Sequence, residues 1–95
     1  MAKDRRYITV KNLITAGYIK SFREIFETIP KSVVARDLGM NNARFTRLMN
    51  DVGSFTLDEL FRLSVFLEIE GSIIVNLTLQ QLDIDKKARK KVSRD

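Results

Sequence analysis

Val34-Ala35-Arg36-Asp37-Leu38-Gly39-Met40-Asn41-Asn42-Ala43-Arg44-Phe45-Thr46-Arg47-Leu48 reads as one helix, a tight turn and the start of a second helix. Two helices that cross steeply over a short turn need a small residue where they meet, and Ala35 supplies it. The turn needs a left-handed residue four positions later, which Gly39 provides at no steric cost. Asn41 is a strong helix N-cap. Phe45 and Leu48 fall where the second helix must bury apolar side chains, and Val34, Leu38 and Met40 complete the buried set. Asn42, Arg44, Thr46 and Arg47 remain outward and polar. The whole unit runs from Lys31 to Asn50.

Upstream, Thr9 is expected to cap a helix through Val10, Leu13 and Ile14, with Gly17 at its C-terminal end. Ser21 then caps a second helix whose apolar stripe is Phe22, Ile25, Phe26 and Ile29. Glu24 sits three residues after the serine, as a capping box requires. Pro30 stops that helix and suits the start of the next, which ends at Leu38. The fourth helix covers Asn42 to about Asp51 and buries Phe45, Leu48 and Met49. Thr56 and Glu59 form a second capping box, opening a fifth helix with Leu57, Leu60, Phe61, Ser64 and Leu67 on its buried face.

Beyond Gly71 the period changes. Ile73, Val75, Leu77 and Leu79 alternate with Ile74, Asn76, Thr78 and Gln80, and the segment is rich in β-branched residues. Strict alternation predicts a strand over 73–79. The helical alternative uses Ile73, Leu77 and Ile84, and it breaks at Gln80 and Gln81. From Lys86 onward the chain is basic and offers no apolar face, so residues 86–95 are expected to be disordered.

Composition narrows the chemistry. The chain has 95 residues, no histidine and no cysteine, and a net charge of +5. Without His or Cys it lacks the usual general base, the thiolate nucleophile and the commonest metal ligands. Asp58 and Glu59 are adjacent and cannot both face one cleft on a helix. No catalytic residue, metal site or cofactor is therefore expected. No apolar run approaches the roughly 18 residues of a membrane span, and no signal-peptide core follows the basic start, so a cytoplasmic protein with no membrane partner is expected. A basic balance on such a chain nominates nucleic acid as partner. Charge is uneven even in the middle of the chain. Lys31, Arg36, Arg44 and Arg47 face only Asp37 and Asp51 over residues 30–52, whereas Arg62 stands alone against Asp58, Glu59, Glu68 and Glu70 over 53–70.

The stretch from Val34 to Leu48 resembles the helix–turn–helix of lambda-repressor-like (XRE-type) DNA-binding domains. The likeness continues through Thr56-Leu57-Asp58-Glu59-Leu60-Phe61-Arg62-Leu63-Ser64-Val65-Phe66-Leu67-Glu68-Ile69 and covers about Ile29 to Ile69. Lys31 stands where the family often has Gln, and Met49 where it often has Glu. The preceding helix is out of phase with the family spacing.

That resemblance implies a mainly α, compact helical bundle, to which the residues themselves add an extra N-terminal helix, a departure from the family, and the C-terminal strand. It implies double-stranded DNA as partner and transcription regulation as role. Asn41 to Arg47 would open the recognition helix in the major groove. Base contacts would come from Asn42, Ala43, Arg44, Thr46 and Arg47, and phosphate contacts from Lys31, Asn41, Asn50 and Ser54. Val34, Ala35, Leu38, Gly39, Phe45 and Leu48 would be structural.

The chain then divides into a basic N-terminal arm over 1–8, a DNA-binding domain over 9–70, a dimerisation strand over 71–85 and the basic tail over 86–95. A lone strand needs a partner, so Ile73, Val75, Leu77 and Leu79 are expected to pair with a second copy. The basic ends, Lys3, Arg5 and Arg6 with Lys86, Lys87, Arg89, Lys90, Lys91 and Arg94, would add phosphate contacts. A different reading of the same fold is a protein-interaction module, such as an antitoxin or accessory subunit with a protein partner.

Overall fold

The computed structural model describes residues 4–93, with side chains described as far as Arg89. Lys3 and Arg94, and the side chains of Lys90 and Lys91, lie outside the described residues. Among the described residues the fold is mainly α. Helices α1 (Arg6–Thr15), α2 (Lys31–Leu38), α3 (Asn42–Asn50), α4 (Leu57–Leu67) and α5 (Gly71–Ser93) are joined by two 3-10 segments, Phe22–Glu27 and Val52–Ser54, and there is no strand.

α1 begins three residues before the expected Thr9, because Asp4 holds its first turn. The Asp4 carboxylate accepts from the Arg6 backbone N–H at 2.9 Å and from its guanidinium at 3.0 and 2.8 Å. Those bonds hold the Asp4 carboxyl down at about 2. The expected arm over 1–8 is thus helical from Arg6 onward. Tyr7 is fully buried. Its ring stacks on Phe66 with centroids 5.5 Å apart, and its hydroxyl donates to Asp37 Oδ2 at 2.8 Å. Gly17, at φ 85°, turns the chain out of α1.

The segment after Ser21 winds as a 3-10 helix of six residues. Pro30 lacks an N–H and disfavours helical backbone at Ile29, so the segment ends there, its last N–H groups on Thr28 and Ile29 both reaching Ile25 O at 3.2 Å. Glu24 accepts from the backbone N–H of Ser21 at 3.0 Å, as the capping box predicts. Phe22, Phe26, Phe45 and Phe55 form one aromatic cluster with centroid separations of 5.2 to 5.8 Å. That cluster packs the 3-10 segment onto α3.

α4 starts as predicted, with Thr56 accepting from Glu59 N–H at 3.0 Å and Glu59 accepting from Thr56 N–H at 2.9 Å. Its buried face is turned relative to the expected one. Leu60, Leu63, Ser64 and Leu67 are buried, whereas Leu57 and Phe61 are 61% and 47% exposed.

The strand expected over 73–79 is a correction. These residues belong to α5, a helix of 23 residues. Ile74, Leu77, Thr78 and Gln81 form its buried stripe, spaced at i, i+3, i+4 and i+7. Two of the four are polar, which hides the period from a hydrophobicity reading. Both are satisfied internally: Thr78 Oγ1 donates to Ile74 O at 2.9 Å, and Gln81 Oε1 accepts from Arg23 N–H at 2.9 Å. Leu77 is spent in its own core, so β-pairing of Ile73, Val75, Leu77 and Leu79 with a second copy is not available. The segment from 86 to 93, expected to be disordered, continues α5, with Lys87 Nζ 3.2 Å from Asp83 Oδ2 one turn back.

Candidate nucleic-acid interface

α2 and α3 form the two-helix unit read from the sequence. Val34, Ala35, Leu38, Phe45 and Leu48 are all buried. Gly39 caps α2 in left-handed backbone, φ 75° and ψ 24°, and the Met40 N–H reaches back to Ala35 O at 2.9 Å. Asn41 caps α3, its side chain accepting from Arg44 N–H at 2.7 Å.

With Phe45, Leu48 and Met49 facing the core, the residues opposite them on α3 are Ala43, Arg47 and Asn50, all exposed. Asn42 is also exposed and Thr46 half-buried, one turn apart at the edge of this outward face. Lys31 is exposed at the first position of α2. Ala43, Arg47 and Asn50 thus share the outward side of α3. Arg44, Arg47, Leu48, Asp51 and Ser54 line a shallow open cleft beside it. Ser54 Oγ donates to Asp51 Oδ2 at 2.7 Å, so its proton is already engaged and a carboxylate stands in that cleft.

Arg44 departs from the sequence expectation. Its Nη2 lies 2.8 Å from Glu59 Oε2 on α4, so the guanidinium leans away from the outward face. Burial opposes ionisation of Glu59, but the Thr56 amide and the Arg44 guanidinium outweigh it, and the carboxyl lies below the usual glutamate range.

Two further arginines hold the unit and escaped the sequence reading. Arg62 on α4 donates through Nη2 to Leu38 O, at the C-terminal end of α2. Arg23 donates through Nε to Met49 O at 2.6 Å, at the C-terminal end of α3. Carbonyls in a helix's last turn lack intrahelical partners and carry partial negative charge, so a guanidinium satisfies them on both counts. Arg23 also meets Asp85, which Gln81 Nε2 approaches at 3.0 Å, and the network ties α5 to the end of α3. The sequence holds no local signal for the arginine contacts, since each spans more than twenty positions.

Among the described residues no group of His, Cys, Asp or Glu side chains could hold a metal ion, and no helix is long and apolar enough to cross a membrane. No protein-family model, curated protein or solved structure matches the chain.

Proposed function

We propose that this chain binds double-stranded DNA in a sequence-specific manner and acts as a small transcriptional regulator, in the way of the lambda-repressor-like domains its motif resembles. α3 lies in the major groove and α2 crosses the backbone above it. The observation that carries this reading is the outward face of α3. Ala43, Arg47 and Asn50 stand together, flanked by Asn42 and Thr46, on a helix whose opposite side is fixed by Phe45, Leu48 and Met49.

Side-chain chemistry then distributes the work. Arg47 suits the O6 and N7 acceptors of guanine, Asn42 the N6 and N7 edge of adenine, and Ala43 or Thr46 a thymine methyl. Lys31, Asn41 and Asn50 contact phosphates and set the register, as does the segment around Ser54. α3 carries no acidic residue in its first turn, so its positive N-terminal end meets the polyanion unopposed.

A single helix–turn–helix reads few base pairs, so the reading includes two copies on a pseudo-palindromic site. Selection from a random duplex pool at two salt concentrations tests it. Enrichment of a two-fold-symmetric consensus is expected, and a pool that stays random would refute it.

A further inference from the structure

Arg44 and Arg47 stand one turn apart on α3, yet only one of them meets an anion. Arg44 Nη2 is 2.8 Å from Glu59 Oε2, and the Glu59 side chain is 12% exposed. Glu59 cannot follow Arg44 outward. Its other oxygen accepts from Thr56 N–H at 2.9 Å, and its own N–H donates to Thr56 Oγ1 at 3.0 Å. Arg47 is exposed and makes no ion pair among the described residues.

We propose that Glu59 limits the sequence-independent affinity of the DNA interface by withholding Arg44 from the duplex, which leaves Arg47 as the only unpaired arginine of α3. The proposal rests on the DNA-binding reading above. A cation releases counterions from DNA only if its charge is free to neutralise a phosphate. A guanidinium 2.8 Å from a carboxylate presents almost no net charge beyond the Debye length, about 8–10 Å in ordinary buffers. Swinging Arg44 onto a phosphate would also leave the Glu59 carboxylate with the Thr56 N–H alone and its charge uncompensated, which is unfavourable. Glu59 is therefore a positioning residue. It removes a cation that would strengthen binding to every sequence alike, and the base-reading contacts of Arg47 and Asn42 then make up a larger share of the affinity.

The test is the salt dependence of binding to the selected duplex and to a random one. It compares wild type with Glu59→Gln, Asp58→Asn and the double variant Glu59→Gln/Arg44→Ala. Glutamine still serves the capping box, so E59Q removes the charge and keeps the α4 start. Asp58, exposed in the same turn, gives a control with an identical change in net charge. E59Q is expected to steepen the slope of log K against log salt by about 0.9, the increment for one extra phosphate contact. Its affinity should rise by a similar factor on the random and the selected duplex. D58N should keep the wild-type slope, and adding R44A to E59Q should remove the increment. Equal slopes for E59Q and D58N, or an increment that survives R44A, would overturn the proposal while leaving the DNA-binding reading intact. Failure of wild type to bind either duplex would overturn both.

Discussion

Arg23 meets Asp85 with both terminal nitrogens, Nη1 to Oδ1 at 2.6 Å and Nη2 to Oδ2 at 2.7 Å, across 62 positions of sequence. The same guanidinium holds Met49 O at 2.6 Å. One side chain thus joins the 3-10 segment, the end of α3 and the middle of α5. A bidentate pair of this kind is stronger and more directional than a single surface contact.

Replacing Arg23 by Ala should lower stability by about 1.5–3 kcal/mol, the usual scale for hydrogen bonds to charged groups. In a domain of this size that corresponds to a fall in Tm of roughly 6 °C or more. Thermal unfolding followed by circular dichroism checks it. A change within about 0.5 kcal/mol would mean that the network is no better than an ordinary exposed ion pair.

The same pair has a pH signature. Hydrogen bonds from Arg23 hold the Asp85 carboxyl below its usual range, so the folded state binds its proton later than the unfolded state does. The stabilisation is complete above the ordinary aspartate value and declines as pH falls through the lower folded value. Asp85→Asn should flatten the acid limb of the stability curve relative to wild type. Denaturation midpoints measured between neutrality and acid show whether it does.

Tyr7 gives the opposite sign. Burial, and then the hydrogen bond to Asp37, push its phenol well above the ordinary tyrosine value. The folded protein keeps the proton where the unfolded chain loses it. This stabilisation is therefore complete below about pH 10 and is lost as pH rises beyond it. Absorbance titration should show one tyrosine ionising only as the fold opens, and Tyr7→Phe should abolish that late component. The variant should also lose about 1 kcal/mol at neutral pH, the typical value of one hydrogen bond.

Gly39→Ala should cost about 1–2 kcal/mol, because left-handed backbone brings Cβ against the following carbonyl. Gly39→Asn should cost less, since Asn tolerates that conformation. Denaturant unfolding of both variants against wild type orders them. Equal stability for Ala and Gly would mean that the turn between α2 and α3 does not need the φ of 75° seen here.

Ile74 is fully buried in the stripe that attaches α5 to the rest of the fold. Ile74→Ala should lower stability by roughly 2–5 kcal/mol. A loss below about 0.5 kcal/mol would place Ile74 in solvent and contradict the helical packing of α5.

The helix–turn–helix was legible in the sequence because sterics allow few residue types at its key positions. Ala35 must be small, Gly39 must be left-handed, and Phe45 and Leu48 must be apolar. The capping boxes at Ser21 and Thr56 were legible for the same reason, being local and chemically strict. α5 was not, because half of its buried stripe is Thr78 and Gln81. Their polarity is offset by Ile74 O within the helix and by Arg23, 58 positions before Gln81. Residue spacing placed Arg44 among the outward residues expected to contact bases but could not reveal Glu59 beside it. That pairing depends on where the tertiary fold sets the start of α4, which no local pattern encodes.

Wild type and Arg47→Ala should be compared on the selected duplex and on a scrambled duplex of equal length at one salt concentration. Wild type should prefer the selected site, and Arg47→Ala should lose about 1–3 kcal/mol there, tenfold or more, with little change on scrambled DNA. Equal wild-type affinity for the two duplexes would contradict sequence-specific binding through α3.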